Sequence, residues 1–218
     1  MGNKTISSTA TAWLASVNST NCVKPFGVNH FTLTKLLQPG NLDTTRALDS
    51  TDVRIMRQMS VADLTVQVKY GKPNDPGNFG ALDMPNPNSN GQGANLYRDN
   101  IGTCNPNNYQ PGDVVHVETG NMVGPTQQGG RNFCTTYVEG TGACLNSQGQ
   151  TGEPAKIITY VPPTTCNGAN CWVTVVDVVG FAIDYITGSE VLGHFIPLSS
   201  GGSITNSPSA IKRPILVK

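Results

Sequence analysis

Six cysteines constrain this chain more than any other feature. They stand at Cys22, Cys104, Cys134, Cys144, Cys166 and Cys171. The number is even and no C-x-x-C spacing occurs, so the set argues for disulfides rather than a zinc site. Disulfides persist in oxidising compartments, which places the expected location outside the cytoplasm: cell surface, secreted or periplasmic. Six cysteines allow about fifteen pairings. The spacing favours local ones. Cys166 and Cys171 enclose the polar turn Asn167-Gly168-Ala169-Asn170, and Cys134 and Cys144 enclose a Thr- and Gly-rich loop. By elimination Cys22 joins Cys104. That bridge closes the longest loop and contributes on the order of 4 kcal/mol in the chain-entropy model.

A chain of 218 residues is long enough to bury a real core. Charged residues make up only 13% and the net charge is zero. A nucleic-acid partner is therefore not expected, because phosphate neutralisation needs a surplus of Lys and Arg. The 24 glycines and 15 prolines, among many Thr, Ser and Asn, describe short strands joined by turns. The longest apolar run, Trp172 to Ile186, is broken by Thr174, Asp177, Gly180 and Asp184 and is too short to span a membrane as a helix. The start of the sequence does not read as a signal peptide. The expectation is that an upstream segment was removed, and that any membrane link runs through a missing N-terminal anchor.

The fold class expected is mainly β: a single disulfide-bonded domain, barrel-like or sandwich-like, with an N-terminal helix. Ile6, Ala10, Trp13, Leu14 and Val17 recur at spacings of three and four, which predicts a helix over Asn3 to Ser16 within an N-terminal segment 1–20. A β-rich body spans 21–203. Leu64, Val66, Val68 and Tyr70 alternate with polar residues, the period of a half-buried strand. Further strands are expected at Asn78 to Met84, Val114 to Glu118 and Lys156 to Val161, with a helical turn at Ala94 to Ile101. Trp172 to Ile186 reads as one strand bent at Gly180, and Val191 to Ile196 closes a hairpin across Thr187-Gly188-Ser189. Residues 204–218 read as a polar tail or strand ending in Ile215-Leu216-Val217.

Several phrases occur together in a telling order. They are Asn21-Cys22-Val23-Lys24-Pro25-Phe26, Gly77-Asn78-Phe79-Gly80-Ala81-Leu82-Asp83, Tyr97-Arg98-Asp99-Asn100-Ile101 followed by Cys104, Gly112-Asp113-Val114-Val115, Glu118 to Thr126, and Val179-Gly180-Phe181-Ala182. The order resembles the C-terminal, extracytoplasmic region of TadE/TadG-like proteins of Tad (Flp-type) pilus assembly, over roughly residues 5–196. The resemblance implies an N-terminal transmembrane anchor and a place in pilus or surface-appendage assembly as a minor pilin-like subunit. It carries over no catalytic residues. The Cys134–Cys144 insertion, the Cys166–Cys171 turn and the tail depart from the family pattern.

Chemistry-bearing candidates are few. Gly120 to Gly130 reads as a structural, turn-rich loop and lacks the Lys-Ser or Lys-Thr of a phosphate loop. Asn86, Asn88 and Asn90 before Gly91 echo a calcium loop without its carboxylates. Asp83 and Asp99 are the weak calcium candidates; otherwise no cofactor is expected. His30, His116 and His194 lie far apart. Asp177 and Asp184, seven residues apart, fall on opposite faces of a regular strand and do not suggest an acid pair. There is no Gly-x-Ser-x-Gly elbow, and oxidised cysteines supply no thiolate, so an enzyme is not expected. The leading function is a structural or binding subunit whose contact points are Trp13, Ile215, Leu216 and Val217, with other appendage subunits or copies of itself as partners. The alternative is a secreted ligand- or glycan-binding β module, stabilised by calcium.

Overall fold

The computed structural model describes residues 12–17, 19–29, 65–70, 80–89, 91, 93–118, 120–161, 171–196, 204–205 and 212–216. For 12–17, 204–205 and 212–216 the description is of backbone pairing alone. The chain is mainly β, and its large sheet curls into a half-barrel.

The spine of that sheet is β9 (Trp172–Ile186), with β8 (Glu153–Val161) antiparallel along one side, from Val161↔Thr174 to Glu153↔Ile183. On its other side lie β10 (Val191–Ile196) near the C-terminal end and β5 (Val114–Val117) at the start. The main path runs β2 (Val23–Asn29), β8, β9, β10, β3 (Val66–Lys69), with β2 parallel to β8. The two-residue β4 (Leu82–Asp83) pairs with β5, and the hairpin β6 (Thr136–Val138) and β7 (Ala143–Leu145) joins β9 at Tyr185. Helices α1 (Ala94–Gly102) and α2 (Val123–Phe133) pack on each other.

Two apolar clusters fill the interior. One gathers Phe26, Tyr97, Ile101, Phe181 and Ile186; the other gathers Leu82, Met84, Val115, Tyr160 and Val173. Alternation on β9 explains how one strand serves both solvent and core: Val173 and Val175 are buried while Trp172 and Thr174 are exposed. Further along, the strand is buried on consecutive positions, as in a strand covered on both faces.

Four expectations are corrected. The helix expected over Asn3 to Ser16 is replaced, where it is described, by strand β1 (Ala12–Val17); residues 3–11 lie outside the described residues. β1 pairs with β12 (Lys212–Leu216) from Ala12↔Leu216 to Ser16↔Lys212, and with β11 (Ile204–Thr205). An apolar spacing of three and four loses to a partner strand some two hundred residues away, which local periodicity does not register. The tail 204–218 is thus strand-bearing. Second, Gly120 to Gly130 is largely helix α2 rather than a loop. Third, the irregularities of β9 sit not at Gly180 but opposite Thr159/Tyr160 and Leu192/Gly193, where Val176 and Asp184 are the extra residues. Fourth, the strand expected at Asn78 to Met84 shrinks to Leu82–Asp83, residues 78–79 lying outside the described residues.

Helix α2 carries Gly124, Pro125, Gly129 and Gly130, a composition poor in intrinsic helix preference. Packing supplies what propensity lacks. A Cβ at Gly129 would lie 2.6 Å from Ile101 Cβ on α1, and one at Gly130 would press on Ile186 of β9. The two glycines are where helix, helix and sheet meet without room for a side chain.

Candidate functional site

Four of the six cysteines pair as expected. Cys22–Cys104 and Cys134–Cys144 are disulfides, with Cα–Cα distances of 4.3 and 5.2 Å. Cys171 is also disulfide-bonded; Cys166 and the expected 166–171 pairing lie outside the described residues. No free cysteine occurs among the described residues. Each mapped bridge fastens the end of a helix. Cys104 follows the last turn of α1, and Cys134 is the C-cap of α2.

Two lysines that sequence reasoning did not single out are buried. Lys24 on β2 is 7% exposed, donates to the Ile101 and Thr103 carbonyl oxygens at 2.8 Å each, and lies over the Phe133 ring. An ammonium there satisfies orphan carbonyls at the C-terminus of α1 and meets the negative end of its dipole. Lys69 on β3 is fully buried and donates to the Gly188 and Ser189 carbonyls of the β9–β10 turn and to Asn121 Oδ1. Burial lowers both amines to about 8, against the opposing pull of Glu153 on Lys24 and of Glu190 on Lys69. Both are held by structural acceptors.

The other titratable candidates are likewise engaged. His194 Nδ1 and Asp184 Oδ2 are 2.9 Å apart across β9 and β10. Asp177 is 5% exposed on the central strand and accepts from the Val178 amide. Asp99 receives Arg98 on one oxygen and the Ser89 hydroxyl on the other. Burial pushes its carboxyl up, but those two donors outweigh burial and hold it below its ordinary value. Asn86 turns its amide to buried Asn100 and accepts the Asn88 amide, an Asx turn closed on itself. Asp83 faces His116 at 3.6 Å instead. The two calcium candidates thus have separate partners, and among the described residues no group of three or more His, Cys, Asp or Glu has the arrangement to hold a metal ion. Trp13 and Ile215 are paired in register by β1 and β12, and Leu216 opposes Ala12. Val217 and His30 lie outside the described residues.

The open chemistry of the described surface concentrates on one sheet face. Register places Asp83 beside His116 and His116 beside Trp172, a row across β4, β5 and β9. The next row is Val114, Thr174 and Val161, across β5, β9 and β8. Trp172 is 54% exposed, Val114 59% and Val161 40%. Three of the five exposed large apolar side chains among the described residues therefore share two register rows, the other two being Val123 and Tyr185. The His116 and Trp172 rings stand 4.7 Å apart. Glu118, two residues past His116, is raised above its ordinary value by burial first and then by Asp83, with His116 opposing. An aromatic such as Trp172 is ordinarily a core candidate; its place in the alternation opposite buried Val173 is the signal for exposure.

No family model, curated protein or solved structure matches this chain, so the likeness to TadE/TadG-like proteins rests on its own motifs.

Proposed function

We propose that this chain is a non-catalytic structural and binding subunit of an extracytoplasmic surface appendage, Tad-type pilus assembly being the system its motifs resemble. The observation that carries the reading is covalent: disulfides fasten the ends of both helices to the sheet, a device suited to a domain that works in an oxidising milieu. The engagement of Lys24, Lys69, Asp99, Asp177 and the Asp184–His194 pair in structural contacts supports a role without turnover. Partners are other appendage subunits or a further copy, and the paired terminal strands bearing Trp13, Ile215 and Leu216, with Val217 beyond them, are the contact points. Strand addition at an outer edge of that sheet is the economical mode.

The test is cellular. In the native host the tagged protein is recovered from the surface or sheared-filament fraction with its cysteines oxidised, and deleting residues 204–218 reduces appendage number. Recovery from the cytosol with reduced thiols, or appendages unchanged by loss of the whole gene, would refute the reading. A second reading, a secreted ligand-binding module, is favoured by the exposed Trp172 face.

A further inference from the structure

We propose that the sheet face formed by Asp83, His116, Trp172, Val114 and Thr174 binds a neutral pyranose glycan, with the Trp172 indole as its stacking platform. The inference rests on the ligand-binding reading above and does not depend on membership of an appendage.

Three observations carry it. First, the side chains have the two chemistries that a sugar ring presents. The C–H face of a pyranose is weakly positive and apolar, and the negative π-face of an exposed indole receives it. Ring hydroxyls are donors, and Asp83 lies in the same register row as the indole, separated from it only by His116. His116 packs against Trp172 and faces Asp83, so the imidazole holds both the platform and the acceptor in place.

Second, the size suits a small ligand. Three strands side by side span about 10 Å and the two register rows lie about 7 Å apart. That footprint matches one or two sugar rings. A stable protein interface needs about 800 Å² from each partner, far more than two rows provide. The flanks Val114 and Thr174 are both exposed and directly paired.

Third, the charge selects. The carboxylates Asp83 and Glu118 flank this face, close enough for their charges to interact. An anionic sugar such as a sialic or uronic acid would meet like charge at short range. A neutral hexose or N-acetylhexosamine would not.

Titration of the whole chain with neutral saccharides (methyl hexosides, chitobiose, lactose) and anionic ones (sialyllactose, digalacturonate) tests this by saturation-transfer NMR. Tryptophan fluorescence in a Trp13→Phe background isolates Trp172. At least one neutral saccharide saturates and perturbs Trp172, and the anionic ones do not. Trp172→Ala, at a more than half-exposed position, keeps the circular dichroism spectrum and weakens binding about tenfold or more. Trp172→Phe recovers part of the loss, and Asp83→Asn weakens binding several-fold. The proposal is overturned if no neutral saccharide binds, or if binding survives Trp172→Ala unchanged. It is equally overturned if Trp172→Ala abolishes self-association in sedimentation while no sugar binds, since the face is then a protein contact. None of these results bears on surface location, so the appendage reading fails or stands separately.

Discussion

The two mapped bridges do different work at equivalent places. Cys22–Cys104 links residues 82 apart, is open to solvent at Cys104, and ties the end of α1 to the start of β2. Cys134–Cys144 links residues 10 apart, is buried, and ties the end of α2 to the β6–β7 hairpin. The first region is fastened several times over. The Cys22 amide donates to the Asn105 carbonyl, Thr20 and Tyr109 exchange backbone hydrogen bonds, and Lys24 caps the α1 carbonyls. The second has fastenings of its own, the two-point Arg131–Glu139 pair and the Tyr137 hydroxyl donating to the Ile186 carbonyl, and adds close approach at Gly129 and Gly130. A distant join needs the covalent link to limit the unfolded chain, whereas a local join needs shape.

Breaking the long bridge should cost most. Cys22→Ser with Cys104→Ser is expected to lose roughly 4–5 kcal/mol in denaturant titration, from the entropy of the larger loop. Cys134→Ser with Cys144→Ser should lose about 3 kcal/mol. An equal loss would erase the contrast. Mild reductant should open Cys22–Cys104 before the buried Cys134–Cys144, a sequence that mass-resolved thiol alkylation reads directly. Gly129→Ala should cost about 2 kcal/mol, because the added methyl meets Ile101 Cβ and the Arg98 carbonyl; a neutral result would mean that α1 and α2 are free to separate.

A pH slope sharpens the comparison further. The folded-state values of Lys24 and Lys69, about 8, lie below the unfolded value of 10.5. Between those limits the unfolded chain binds more protons, so stability rises as pH climbs from about 8 toward 10.5, by at most about 1.4 kcal/mol per unit for each lysine. Burial raises Tyr97, and raises Tyr109 to about 12. Tyrosines that ionise only when unfolded turn the curve down above pH 10. Denaturant midpoints across pH 7.5 to 11 should therefore pass through a maximum, and Lys69→Met should flatten its rising limb.

Much of this was legible in the residues. Alternation located Val66–Lys69, a long apolar run located β9, and cysteine spacing with elimination predicted both mapped bridges. What escaped was tertiary in origin. Lys69 looks like a polar position of an alternating strand, and the turn at Gly188–Ser189, brought beside it by the β10–β3 pairing, makes burial tolerable together with Asn121. Helix α2 has glycines where a helix-former is expected, because its stability comes from Ile101 and Ile186 outside its own sequence. β1 finds its partner at the other end of the chain. The Asp83–His116–Trp172 row needs three strands in register, and no linear spacing among residues 83, 116 and 172 encodes it.

The central claim is that an oxidised, cross-linked β scaffold presents this surface. Non-reducing peptide mapping of protein purified from its native host tests it most directly. The account predicts Cys22 linked to Cys104, Cys134 linked to Cys144, and no alkylatable thiol after denaturation. Free thiols at these positions, or a different pairing of the four, would contradict it.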